Sequence, residues 1–179
     1  VRFTKGIDFD FRGTLAPGGY AIIANNVAAF EMRYGSGLPL LGQWTGKLDN
    51  GGERLKLSYG AGETISDFEY SDSTPWPTSA DGAGLSLTRI FSNSSNDPNL
   101  ALSWRSSISN GGNPGASDAL FFTGEPLADA DGDGLNALLE FAFGSADQLP
   151  DRSADLFSLN RNDGKLILRL QRNLAAEGV

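Results

Sequence analysis

The densest chemistry in the chain lies in residues 129–140, Asp-Ala-Asp-Gly-Asp-Gly-Leu-Asn-Ala-Leu-Leu-Glu. Carboxylates recur at alternate positions, a glycine follows at the sixth, and a further carboxylate stands at the twelfth, which is the pattern D-x-D-x-D-G-x5-E. Such spacing suits a hard divalent cation, because Ca²⁺ takes about six to eight oxygen ligands at about 2.3–2.6 Å. Asp129, Asp131 and Asp133 are the expected carboxylate ligands from a tightly wound loop. Leu135 is expected to add its backbone carbonyl. Ala137 has no ligating side chain and leaves its place to water. Glu140 is expected to bind through both oxygens. Carboxylates packed this closely repel one another unless a cation lies between them, so the expected cofactor is Ca²⁺. The competing explanation is a solvated Asp-Gly turn ahead of an amphipathic helix. With average residue usage, the five matched positions arise by chance in roughly one chain in a thousand of this length.

Other groups point to chemistry less strongly. Asp67 and Glu69, two apart on a strand, have the spacing of a glycosidase carboxylate pair, but an exposed acidic face is what an antiparallel sheet ordinarily presents. Trp44, Trp76 and Trp104 would serve as a sugar-stacking platform if exposed. Aromatic side chains more often fill a core, and Trp76, between two prolines, is the one expected nearest the surface. Asp49-Asn50-Gly51-Gly52 has the amides for an anion, although a hairpin turn explains it. Gly35-Ser-Gly37 lacks the spacing of a nucleophile elbow. Asn93-Ser94-Ser95 fits a glycosylation sequon.

The chain has no His and no Cys. This removes Ser-His-Asp catalysis, thiolate nucleophiles, disulfides and Cys-ligated zinc. A net charge of −8 and a pI near 4.4 argue against nucleic acid, which is bound largely by neutralising phosphates, and favour divalent cations. No run of about 18 apolar residues is present, so no membrane insertion is expected. The chain opens on Val1 in what reads as the interior of a domain, which suggests a fragment or a processed product.

The elements that must position these residues read as mainly β. Ile7, Phe9 and Phe11 alternate with charged residues as in a half-buried strand, and Ala16-Pro17-Gly18-Gly19 is a turn before a strand at 20–24. Asn26 is a plausible N-cap for a short helix over 27–34 that Gly35 ends. Residues 36–42 read as loop and 48–53 as a tight Asn-Gly hairpin. Strands follow at 55–59, 64–70 and 85–91, then a polar loop at 92–100. Short strands with closely spaced turns argue for an antiparallel β-sandwich over residues 1–118. Residues 119–128 read as a linker, 129–146 as the calcium loop and its helix (135–143), and 147–179 as a C-terminal segment. The strand at 165–172 in that segment has no evident sequential partner. It would be an edge strand or the start of a further domain.

Four stretches, in order, resemble the lamin tail domain of bacterial surface proteins. They are Gly13–Tyr20 with Ala28-Ala29-Phe30 and Tyr34-Gly35; Trp44–Glu53; Tyr70 through Pro75-Trp76-Pro77, Asp81-Gly82 and Gly84–Leu87; and Ser103-Trp104 with Gly112–Ala116. The resemblance covers about 1–117. It implies an immunoglobulin-like sandwich that binds or spaces and does not catalyse. It also implies an N-terminal strand or two ahead of Val1, whose loss would leave an open sheet edge for 165–172 or another chain to fill. In an EF-hand a helix enters the calcium loop, whereas here Gly124-Glu125-Pro126 precedes it and disfavours one. The loop is therefore similar to the helix-less calcium loops of dockerins and thrombospondin type 3 repeats, which are structural sites in extracellular proteins.

The expectation is a non-enzymatic calcium-binding module of an extracellular or cell-surface protein, acting in adhesion, assembly or domain spacing. Its partner would be a protein or a glycan at the cell surface, or a further copy through the open edge. The first alternative is a carbohydrate-binding module attached to a secreted enzyme. The second is a hydrolase using carboxylates or calcium-activated water.

Overall fold

The computed structural model describes residues 1–90 and 96–177, and it is mainly β. The chain divides into two compact units, Val1–Asp118 and Ala119–Val179.

In the first unit the strands β1 (Arg2–Lys5), β2 (Ile7–Asp10), β3 (Ile22–Ala24), β4 (Leu40–Gln43), β5 (Thr45–Gly46), β6 (Arg54–Tyr59) and β7 (Glu63–Glu69) are followed by β8 (Leu87–Arg89) and β9 (Trp104–Ser106). One antiparallel sheet has the order β5-β2-β1-β6-β7. Its apolar residues alternate along β2, where Ile7 is buried and Phe9 half-buried between exposed aspartates. Phe9 stacks edge-on against Phe11 with ring centres 4.9 Å apart. The β6–β7 turn falls at Gly60–Gly62, where the Gly62 N–H donates to the Tyr59 carbonyl at 3.0 Å. Strands β8 and β9 form a separate antiparallel pair.

Helix α1 (Val27–Tyr34) begins where Asn26 caps it, its side chain accepting from the Ala29 N–H at 3.0 Å. This is the expected capping geometry, and Gly35 ends the helix with a positive φ of 84°. Phe30 and Tyr34 stack along one side of it, and the Tyr34 hydroxyl donates to the Gly111 carbonyl at 2.7 Å. The helix joins β3 to β4, which run parallel. Residues 40–43, Leu-Leu-Gly-Gln, are thus strand, although 36–42 read as loop. Parallel neighbours need a crossover connection, and α1 supplies it.

The Asn50-Gly51 turn closes no hairpin. Its flanking strands part, β5 pairing with β2 and β6 with β1 and β7. A local turn signal cannot reveal that choice of partners. A buried ion pair holds the end of the unit. Arg105 and Asp118, 7% and 8% exposed, meet at 2.6 Å, and Asp118 also accepts from the Ile108 N–H.

The second unit contains β10 (Leu120–Phe121), α2 (Ala137–Phe143), α3 (Ser153–Leu156), β11 (Phe157–Asn162), β12 (Lys165–Leu170) and β13 (Ala176–Glu177). Residues 119–128 are part of it and not a linker. Strand β10 pairs in parallel with β13, Phe122 packs edge-on against Phe141, and the carbonyls of Pro126 and Ala128 accept from Leu138 and Ala137. The strand at 165–172 has a sequential partner after all. Strands β11 and β12 form an antiparallel hairpin from Phe157↔Leu170 to Asn162↔Lys165. Asp163 and Gly164 close it, both with positive φ, as a type I′ turn requires. Among the described residues β12 pairs with β11 alone, so the strand is half of a local hairpin and not a lone edge strand. Nor is β1 at an edge, since it lies between β2 and β6. Among the described residues of this unit, Ala137, Leu156 and Ala176 are the buried apolar ones.

Candidate metal centre

The loop is wound by its own aspartates. Asp129 accepts from the N–H groups of Gly132 (2.8 Å) and Gly134 (3.2 Å). Asp131 accepts from Asp133 N–H at 3.1 Å, and Asp133 from Leu135 N–H at 2.7 Å. These bonds draw the three carboxylates toward one side of the chain. Gly134 has φ 93°, in the region that side-chain-bearing residues avoid, so the sharp sixth-position turn depends on it. Asn136 then caps α2, accepting from Leu139 N–H at 3.0 Å. The helix thus starts at Ala137, two residues later than its apolar periodicity predicts. The periodic Leu135 lies in the loop, where its N–H serves Asp133. Gly144 closes the helix in the left-handed conformation, its N–H on the Glu140 carbonyl at 2.7 Å.

One turn of α2 carries Glu140 back to the loop. It is 1% exposed, the most deeply buried charged side chain of the described residues. Among the described residues no N–H or hydroxyl donor reaches either of its carboxylate oxygens, and the group set against it is another carboxyl, that of Asp147. An unpaired carboxylate in such a place is costly, and the proton affinity reflects this. Burial first, then the adjacent Asp147 carboxyl and the charges of Asp131 and Asp133, push Glu140 up to about 7 from an ordinary 4.5. Burial also raises Asp131, with the charges of Asp133, Asp129 and Asp147 adding to it.

Two overlapping triads arise, Asp129-Asp131-Asp133 and Asp133-Glu140-Asp151. In each, one oxygen per residue lies within 4.8 Å of the others. Oxygens bound on opposite sides of one Ca²⁺ are separated by about twice the roughly 2.4 Å bond length, so each triad has the compactness for an ion. The structure thus brings together all four predicted carboxylates, with Leu135 alongside. It adds two residues not found from the sequence, Asp151 and Asp147. Asp151 N–H donates to Asp133 at 2.8 Å, and Asp147 accepts from Ala130 N–H at 3.1 Å. Both lie beyond the loop pattern in a polar stretch, and no fixed spacing marks them.

The other candidates take ordinary roles. Asp67 is gripped by Arg54 through two bonds of 2.7 Å, with Lys56 at 3.9 Å. The Arg54 bond holds its proton affinity below the usual carboxylate range, the reverse of what a general acid needs. A hollow lies beside it, lined by Arg54, Asp67, Phe68, Glu69 and Asn99. Asn99 there binds backbone groups of Glu69 and Asp67.

Trp104 and Trp76 are half-buried in one cluster with Phe68, at 5.1 Å (Phe68–Trp104) and 5.9 Å (Trp76–Trp104). Trp44 is half-buried too. In the 49–52 turn, carboxylates already occupy amides that an anion would need. Asp49 accepts from Gly51 N–H at 2.9 Å, and Glu53 accepts from Asp49 N–H at 2.5 Å. Gly35 serves as the end of α1. The 93–95 sequon lies outside the described residues.

Among the described residues no helix is long and apolar enough to cross a membrane. Comparison with protein-family models, curated proteins and solved structures yields no match.

Proposed function

We propose that the chain is a non-enzymatic, calcium-stabilised module of an extracellular or cell-surface protein, in which Ca²⁺ orders the second unit. Asp129, Asp131, Asp133, Glu140 and the Leu135 carbonyl hold the ion. The observation that carries this is Glu140. At the position the loop pattern reserves for a bidentate ligand stands a carboxylate withdrawn from water with no N–H or hydroxyl donor on either oxygen among the described residues. A protein keeps such a group where a cation compensates it. Calcium fits the donor set better than a softer metal, since all side-chain donors are hard oxygens and neither His nor Cys is present.

The site is of the structural kind. No helix enters the loop, and the wound aspartates leave little to rearrange. Helix-less loops in extracellular modules bind at roughly 10⁻⁴–10⁻³ M, which matches millimolar external calcium. The four stretches that resemble bacterial lamin tail domains support the same surface-protein setting and an immunoglobulin-like role for residues 1–118 in adhesion, assembly or spacing. Partners would be proteins or glycans outside the cell. The carbohydrate-binding alternative loses ground because Trp76 is half-buried and packs on Trp104, with ring centres 5.9 Å apart.

The test is thermal unfolding of the whole chain with calcium and with EDTA. Calcium should raise the midpoint of residues 119–179 by mass action, and Asp131→Ala should remove the response. Superimposable curves would reject the proposal.

A further inference from the structure

We infer that Asp151, outside the twelve-residue loop, is a direct ligand of the same ion and closes the site from its C-terminal side. The inference rests on the calcium assignment above. Glu140 lies in two sets of neighbours at once. The loop pattern ties it to Asp129, Asp131 and Asp133, while its closest compact triad is with Asp133 and Asp151. A cation that compensates Glu140 is therefore within reach of Asp151.

Three features of Asp151 agree. Its backbone N–H is fixed on Asp133 Oδ2 at 2.8 Å, which places the residue without using its side chain. The side chain is half-buried, and its Oδ2 is shielded from water with no N–H or hydroxyl donor among the described residues, like both oxygens of Glu140 and Oδ2 of Asp131. The loop also needs another oxygen, because Ala137 has no ligating side chain and is itself buried. Calcium accepts about six to eight oxygens, and a carboxylate from residue 151 supplies one that the loop lacks.

The consequence reaches past the loop. Asp151 stands directly before α3 and the β11–β12 hairpin. A two-stranded hairpin is marginal by itself. Ligation at Asp151 would anchor the start of this segment to the same ion that fixes the start of α2. Asp147 differs from Asp151. It belongs to neither compact carboxylate triad, and we assign it a place beside the ligands, not among them.

The experiment is calcium titration by calorimetry of the whole chain and of three variants. Asp151→Asn should weaken binding at least tenfold. Asp147→Asn, which removes a neighbouring charge but no ligand, sets the size of the purely electrostatic loss and should weaken it less. Glu140→Gln should abolish binding. An Asp151→Asn variant that binds like the parent, or no worse than Asp147→Asn, overturns the inference while Glu140→Gln still upholds the site. A parent chain that binds no calcium overturns both. Should Asp151→Asn fail to fold, the carboxylate ¹³C resonance of Asp151 in the unaltered chain decides. A shift on calcium saturation supports ligation, and an unmoved resonance refutes it.

Discussion

Replacing Glu140 with Gln should change the sign of its own effect when calcium is added. The folded protein holds the Glu140 proton with a pKa of about 7, against an ordinary 4.5. Because the folded value is the higher one, the stability that this proton confers is complete below about pH 4.5 and is lost as pH rises through about 7. Metal-free protein should therefore become less stable between about pH 5 and 8. Each tenfold difference in proton affinity is worth about 1.4 kcal/mol, which gives roughly 3 kcal/mol at full ionisation. Relaxation of the loop around the charged group reduces this to about 1–2 kcal/mol.

Gln keeps the shape without the charge. Metal-free Glu140→Gln at pH 8 should thus exceed the parent by about 1–2 kcal/mol, or roughly 4–15 °C for a unit of this size. At calcium about a hundredfold above Kd the parent gains about 2.7 kcal/mol and the variant almost nothing, so the order reverses. Assay choice matters, since every Trp and Tyr lies within residues 1–118. Tryptophan emission reports the first unit only. Hydrogen exchange of peptides from 119–177 reports the second. A variant less stable than the parent in both conditions, or one that retains the calcium response, would refute the reasoning.

Two further changes probe the first unit. Arg105→Ala leaves the buried Asp118 carboxylate without its guanidinium and should destabilise this unit by about 3–5 kcal/mol, visible as an earlier tryptophan-detected denaturation. Asn26→Ala removes the α1 cap and should cost about 1 kcal/mol by the same readout, with calcium binding unchanged.

The parts legible in the sequence are those that local chemistry determines. Asn26 and Gly35 bound α1 because capping needs only neighbours along the chain, and the 129–140 loop is a fixed pattern of ligand types. What escaped depends on distant partners. Strand β4 contains Gly42 and follows Pro39, so nothing local distinguishes it from a loop until β3 lies beside it. Strand β11 has only Phe157 and Leu159 as large apolar residues, too few to announce a period of two. Residues 120 and 121 became strand through pairing with 176 and 177, more than fifty positions away. Asp151 reaches the metal centre by the fold of the 145–152 segment, and no spacing rule anticipates it. Glu140 was legible as a candidate ligand, but its near-complete burial was not.

Direct calcium binding to the intact chain tests the central claim most simply. Calorimetric titration at pH 7.5, where Glu140 is mostly ionised, should give saturable binding with Kd of roughly 10⁻⁴–10⁻³ M or tighter, accompanied by release of a fraction of a proton from the part of Glu140 still protonated. The absence of saturable heat up to about ten times the upper value would contradict the account.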